Sequence, residues 1–127
     1  MPTKKKKLSV EDVLHPVELH YQRSNPEMVL NWTEELVTYL QADYDRQYKK
    51  SPQPCKFSIT TGRKYHNILD RKGSVHAFVN KQTGEVYKPA SWNSPAKHVR
   101  YDLRRIQQRY ECFSNADWAG SYLYLRG

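Results

Sequence analysis

The chain has 127 residues, 38 % of them apolar by type, with a mean hydropathy of −0.92. That allows one modest core, and no stretch approaches the about 20 apolar residues that a membrane span needs. The formal charge is +8, and a 13 % aromatic content argues for a folded chain, because disordered chains are poor in rings.

The charge is unevenly spread. Residues 1–50 carry eight Lys/Arg against eight acids, whereas residues 51–127 carry thirteen Lys/Arg against five acids. The whole excess lies in the second part, where a positive field attracts polyanions.

Residues 1–8 read as a flexible basic arm, and residues 9–127 as a single domain. Lys4 to Lys7 repel one another and have no apolar partners. No apolar run follows them, so no secretory signal is expected. Ser9, with Glu11 and Asp12 near the positive end, predicts a short helix over Val10–Leu14 that Pro16 ends.

The clearest element starts at Asn25, a good N-cap, with Pro26 at the first helical position. Val29, Trp32, Leu36, Leu40 and Tyr44 follow at helical spacing, and Met28, Val37 and Tyr48 widen the stripe. The spacing predicts a core helix over 26–49, stopped by Ser51-Pro52-Gln53-Pro54.

Strand patterns come next. Phe57–Thr61 is rich in β-formers, and Lys64–Leu69 alternates weakly. Val75–Asn80 reads as a strand with Val75, Ala77 and Val79 on one face and His76 and Phe78 on the other. Turns at Asp70-Arg71-Lys72-Gly73 and Lys81-Gln82-Thr83-Gly84 separate these from a further strand at Glu85–Lys88, ended by Pro89. The pattern predicts an antiparallel meander of about three strands. Helical spacing returns from about Pro95 or Val99, through Leu103, Ile106 and Tyr110, and predicts a basic C-terminal helix flanked by Arg100, Arg104 and Arg105. The apolar stretch from Trp118 should dock on the core. The fold class expected is α+β, with helices on one face of a small sheet.

Several strings carry a resemblance. They are Thr-Gly-Arg-Lys-Tyr at 61–65, Ser-Val-His-Ala-Phe-Val at 74–79 and Thr-Gly-Glu-Val-Tyr-Lys-Pro-Ala-Ser-Trp at 83–92. Pro-Ala-Lys-His-Val-Arg-Tyr-Asp-Leu at 95–103 and Ala-Asp-Trp-Ala-Gly-Ser-Tyr-Leu-Tyr at 116–124 complete them. Over residues 56–125 the chain resembles a family of small, uncharacterised proteins of tailed bacteriophages; residues 1–55 lie outside the resemblance. Relatives often carry a small residue where His98 sits and Gly where Ser121 sits. The resemblance implies a phage protein acting in the infected bacterial cytoplasm, and brings no activity with it. The two cysteines, Cys55 and Cys112, are too few for a disulfide framework, which suits that compartment.

The residues themselves point to nucleic acid. Lys56, Arg63, Lys64, Lys88, Lys97, Arg100, Arg104 and Arg105 supply cations that would neutralise phosphates. Trp92 and Tyr101 lie among them, with Tyr65, His76, Phe78 and Tyr87, as rings able to stack on unpaired bases. Arg100 and Arg104, one helical turn apart, should face outward together. The alternative partner is an acidic surface of a bacterial protein complex, which the same charge would steer towards. A virion component is a lesser reading.

An enzyme is not expected. Asp70, Glu85 and Lys88 approximate a nuclease pattern, but Glu-Val-Tyr-Lys is one residue too long and places Glu85 and Lys88 on opposite strand faces. His66, Asn67 and His76 suggest a His/Asn nuclease without its supporting pattern. His15 and His20 have a zinc-finger spacing but lack the Cys pair, so no metal and no cofactor is expected.

Overall fold

The computed structural model describes residues 24–49, 56–70 and 72–124. The basic arm, the short helix over 10–14, the proline stop, His15, His20 and Cys55 lie outside these residues.

Helix α1 spans Pro26–Gln47. Asn25 Oδ1 accepts from the Met28 N–H at 2.9 Å, and Pro26 sits in the first turn, where no N–H partner is needed. Val29, Trp32, Leu36, Leu40 and Tyr44 are buried, as their spacing predicts. Thr33 is buried among them; its hydroxyl donates to the Val29 carbonyl at 2.8 Å, so burial leaves it satisfied. The helix ends at Gln47 rather than 49. Tyr48 leaves helical geometry at φ −125° and ψ 48°, and its ring stacks on Tyr44 with centroids 4.8 Å apart.

The strands are β1 (Ser58–Thr61), β2 (Tyr65–Leu69), β3 (Val75–Asn80), β4 (Glu85–Tyr87), β5 (Pro89–Ser91), β6 (Ser94–Pro95) and β7 (Tyr101–Asp102). Five of them form one antiparallel sheet in the order β1-β2-β3-β4-β7. The expected meander is its centre. β5 and β6 make a separate hairpin whose two-residue turn is Trp92-Asn93.

Helix α2 spans Ile106–Asn115, and a short 3-10 turn spans Ser121–Leu123. Both helices bury side chains in one core with the sheet. Val29, Leu36 and Leu40 from α1 meet Ile68, Ala77, Val79 and Val86 from the strands, together with Leu103 and Cys112. Burying such an aliphatic side chain stabilises by about 1.5–3 kcal/mol. The fold is therefore α+β. The C-terminal apolar stretch docks as expected, with Tyr122 and Leu123 buried.

Two expectations need correction. The first concerns β3. Ala77 pairs with Ile68 and Val75 with Leu69, so His76 is an extra residue in a bulge. The bulge breaks the alternation. His76 does not share a face with Phe78; its ring contacts Phe57 and Tyr122 of the core.

The second concerns residues 95–105, which are not helical. The open edge of β4 claims this backbone: Arg100 N–H donates to the Val86 carbonyl at 2.8 Å, and Leu103 N–H to the Gly84 carbonyl at 3.0 Å. Helix α2 starts only at Ile106, behind Arg105, whose side chain makes no cap bond. Leu103 is fully buried, but Ile106 and Tyr110 are 43 % and 73 % exposed, so the four residues do not form one apolar face. Cys112 is what α2 buries instead, and Phe113 stacks on Tyr39 at 5.3 Å.

Candidate functional site

Arg100, Arg104 and Arg105 do not form the outward row that a helix would give them. Arg100 is turned onto carbonyls: its Nε donates to Leu123 at 2.6 Å, and its Nη1 to Lys97 at 2.7 Å and His98 at 2.6 Å. This guanidinium pins a loop in which His98 has φ +74°, a conformation that favours glycine. Arg104 grips Asp102 through Nε at 3.0 Å and Nη2 at 2.9 Å, and Arg105 lies 3.9 Å from the same carboxylate. Tyr101 lies against the core: its ring stacks on Tyr122, and its hydroxyl donates to the Tyr122 carbonyl at 3.0 Å. Arg100 and Tyr101 thereby tie this segment to the C-terminal stretch, whereas Arg104 and Arg105 bond locally to Asp102.

The other candidates fall in three places. Trp92 tops the β5–β6 hairpin and is 79 % exposed, with Lys97 exposed further along the loop. Lys88 sits between β4 and β5 with its Nζ 4.8 Å from the centre of the Tyr124 ring. Lys56, Arg63 and Lys64 are exposed near β1.

Arg63 and Lys64 lie in the β1–β2 turn, next to the β3–β4 turn. Lys81 joins the two: its N–H donates to the Lys64 carbonyl at 3.0 Å, and its Nζ to the Gly62 carbonyl at 2.8 Å. Lys64 Nζ lies 5.5 Å from the centre of the Tyr65 ring. Tyr65 meets Phe78 and Tyr87 edge-on, at 5.5 and 6.0 Å. Phe78 and Tyr87 are register partners, so this is one ring cluster across three strands. Lys64 thus lies at the start of an aromatic patch, with Arg63 and Lys81 on the two joined turns beside it.

On the inner face nearby, His66 Nδ1 lies 2.8 Å from Thr61 Oγ1, while its buried Nε2 has no partner among the described residues. Burial, and then the positive Lys81, push its pKa down, which keeps the ring neutral.

A cleft of about 590 Å³ opens at the other end of the sheet. Tyr44, Tyr48 and Trp118 form one wall. Trp118 meets both tyrosines edge-on at 5.5 and 5.3 Å, and Asp43 Oδ2 fixes its backbone N–H at 2.9 Å. Lys88 and Tyr124, in contact with each other, also line it, and Lys72 and Asp70 come from the β2–β3 turn. Phe57 and His76 lie deeper. His76 Nε2 is 2.8 Å from the Tyr122 hydroxyl, with the two rings stacked at 5.7 Å. Burial pushes the His76 pKa down to about 4, against the opposing pull of Asp117 and Asp70, so the ring is neutral at pH 7. Sequence reasoning missed this cleft, although it named Lys88 and His76 as candidates for nucleic-acid contact. Its walls come from five separated stretches. The available signal was a helical stripe that turns from leucine to tyrosine at Tyr44, with an apolar C-terminal stretch, begun by Trp118, that had to dock somewhere.

The nuclease pattern is not assembled, because Asp70 and Glu85 lie beyond opposite ends of β3. Asp70 Oδ1 accepts the Lys72 and Ser74 N–H groups of its own turn, and Glu85 bonds the Thr83 hydroxyl. Cys112 is buried, and burial pushes its thiol pKa up, away from nucleophilic thiolate. Among the described residues, no group of three His, Cys, Asp or Glu gathers as for a metal. No described helix is long and apolar enough to cross a membrane.

Among the described residues, an antiparallel sheet sharing one core with two helices, with rings and lysines at its two ends, defines a small α+β protein. The chain belongs to DUF7717, a family of unknown function, which it matches over residues 16–125. The match takes in helix α1, whereas the resemblance read from the sequence stopped short of it. No curated protein and no solved structure matches the chain.

Proposed function

We propose that this is a small bacteriophage protein that binds nucleic acid in the cytoplasm of the infected bacterium, through phosphate contacts and ring stacking. The observation that supports it best is the basic, ring-lined end of the sheet. Arg63, Lys64 and Lys81 lie on two joined turns beside Tyr65, Phe78 and Tyr87. Cations in that position release counterions from phosphates, and a half-buried tyrosine offers a face to an unpaired base. Helix α1 carries five carboxylates and one arginine, and its Asp43–Arg46 pair, at 2.8 Å, is internal to the helix. The strings at 61–65 and 83–92, which carry the likeness to phage proteins, include Arg63, Lys64, Tyr87, Lys88 and Trp92.

The test is fluorescence anisotropy with labelled single- and double-stranded oligonucleotides over a salt series. Binding should weaken steeply with salt. Replacing Arg63 and Lys64 together by Glu should cost about tenfold or more in affinity and flatten the salt slope, with thermal stability retained. An absence of binding at low salt overturns the reading. A pull-down from nuclease-treated bacterial lysate then asks whether an acidic protein takes the same surface.

A further inference from the structure

The cleft at the far end of the sheet combines three features that one ligand chemistry would use together. Its walls are rings with exposed surface: Tyr48 and Tyr124 are 43 % and 61 % exposed. Its rim carries two lysines, Lys72 and Lys88, against one carboxylate. That carboxylate, Asp70, has Oδ1 tied to the backbone of its own turn. Deeper in lies a polar edge, the His76 ring, whose Nε2 is engaged by Tyr122. Gly120, at φ +85°, adds no side chain over that ring; a Cβ there would sit 3.6 Å from His76 Cε1.

We propose that this cleft binds a nucleoside phosphate, with the base against the tyrosine and tryptophan rings and the phosphate between Lys72 and Lys88. This deepens the nucleic-acid reading and rests on it for one source of the ligand, an unpaired nucleotide within a strand; a free nucleotide is the other. The chemistry follows from the walls. Stacking on an aromatic side chain stabilises a base by about 1–3 kcal/mol and tolerates every base, because each has a π-face. A purely apolar ligand would leave the lysines unused, and a bare anion would leave the rings unused. His76 Nδ1, which has no hydrogen-bond partner among the described residues, can bond the edge of the base. The wall is held in advance: Asp43 fixes the Trp118 backbone, and Gln47 Oε1 accepts from its indole N–H at 3.4 Å. Little ordering cost then falls on the ligand.

The experiment is an amide and indole NMR titration of the full chain, first with adenosine monophosphate, then with a short single-stranded oligonucleotide. Either ligand should shift the Trp118 indole and the Lys72, Lys88 and Gly120 amides. Replacing Lys72 and Lys88 together by Glu should weaken mononucleotide binding about tenfold without lowering the melting temperature. Replacing Arg63 and Lys64 by Glu should weaken only the oligonucleotide. Shifts from the mononucleotide alone support the cleft with a free nucleotide as its ligand. The cleft proposal fails if the oligonucleotide moves only residues 62–65 and 81, and the nucleic-acid reading survives that result. Both fail if neither ligand moves any signal.

Discussion

Helix α1 and the segment 97–105 are both anchored to the same core, by different means. Along α1, Val29, Trp32, Leu36 and Leu40 do the work as packed side chains, and polar groups enter mainly at its two ends. Along 97–105, one buried apolar side chain, Leu103, is accompanied by a set of polar pins. Arg100 holds three carbonyls, Tyr101 bonds the Tyr122 carbonyl, and Asp102 gathers the Arg104 guanidinium. Packing repeats with helical period and tolerates shifts in detail. Directional bonds fix an irregular segment, and each is lost whole when one partner goes. A charge that reads as surface in the sequence can therefore be spent inside the fold.

Four changes break or sharpen this contrast. Leu36→Asp should have the largest effect. An unpaired charge in the fully buried seam costs several kcal/mol, enough to unfold a domain of this size. Circular dichroism should show loss of helix at 25 °C; a wild-type melting curve would mean that the seam is not the core.

Acid attacks the seat of the pinned segment. Arg100 and Tyr101 bond the carbonyls of Leu123 and Tyr122, and Tyr122 rests on His76. The His76 pKa falls from 6.5 to about 4 on folding, so the unfolded chain binds the proton more tightly. This contribution is whole above pH 6.5 and is lost as pH falls toward about 4. At its limit the loss is about 3 kcal/mol. Melting temperatures at pH 7 and pH 4.5 should differ less in His76→Gln than in the wild type. Equal differences would show that His76 titrates normally.

Asp102→Ala removes the acceptor of the Arg104 N–H, Nε and Nη2 in a single step. The expected loss is about 1–3 kcal/mol in urea unfolding, because all three bonds are charge-assisted and half-buried. A neutral result would show the pins to be ornamental. Ile106→Gln should matter least. A helix running from Val99 would make Ile106 core and the change costly, but here it is 43 % exposed, and the cost should stay within about 0.5 kcal/mol. A loss of several kcal/mol would restore the helical reading of 95–105.

Much of the fold is legible before any coordinates. Asn25-Pro26 starts α1, its stripe is buried, and β3 has the bounds that its alternation and flanking turns assign. Gly73 and Gly84 take φ of +80° and +77°, as their turns require. These are local decisions, made by neighbours within a few residues. The stripe Val99, Leu103, Ile106 and Tyr110 misleads because periodicity cannot sense the free edge of β4, whose carbonyls lie at residues 84 and 86.

The candidate site divides in the same way. Sequence alone determined that the second part is basic and ring-rich; it put Lys64 at the start of a strand, whereas Arg63 and Lys64 stand in an exposed turn before β2. Tertiary structure decided that Arg100, Arg104 and Tyr101 are bonded inward, and that Lys81 joins Lys64 at one end of the sheet. It also brought Tyr48, Lys72, His76, Lys88 and Trp118 around one cleft. The physical reason is range. Caps, turns and alternation act between residues close in the chain, whereas a cleft depends on side chains that only the closed sheet and its docked C-terminal stretch bring together.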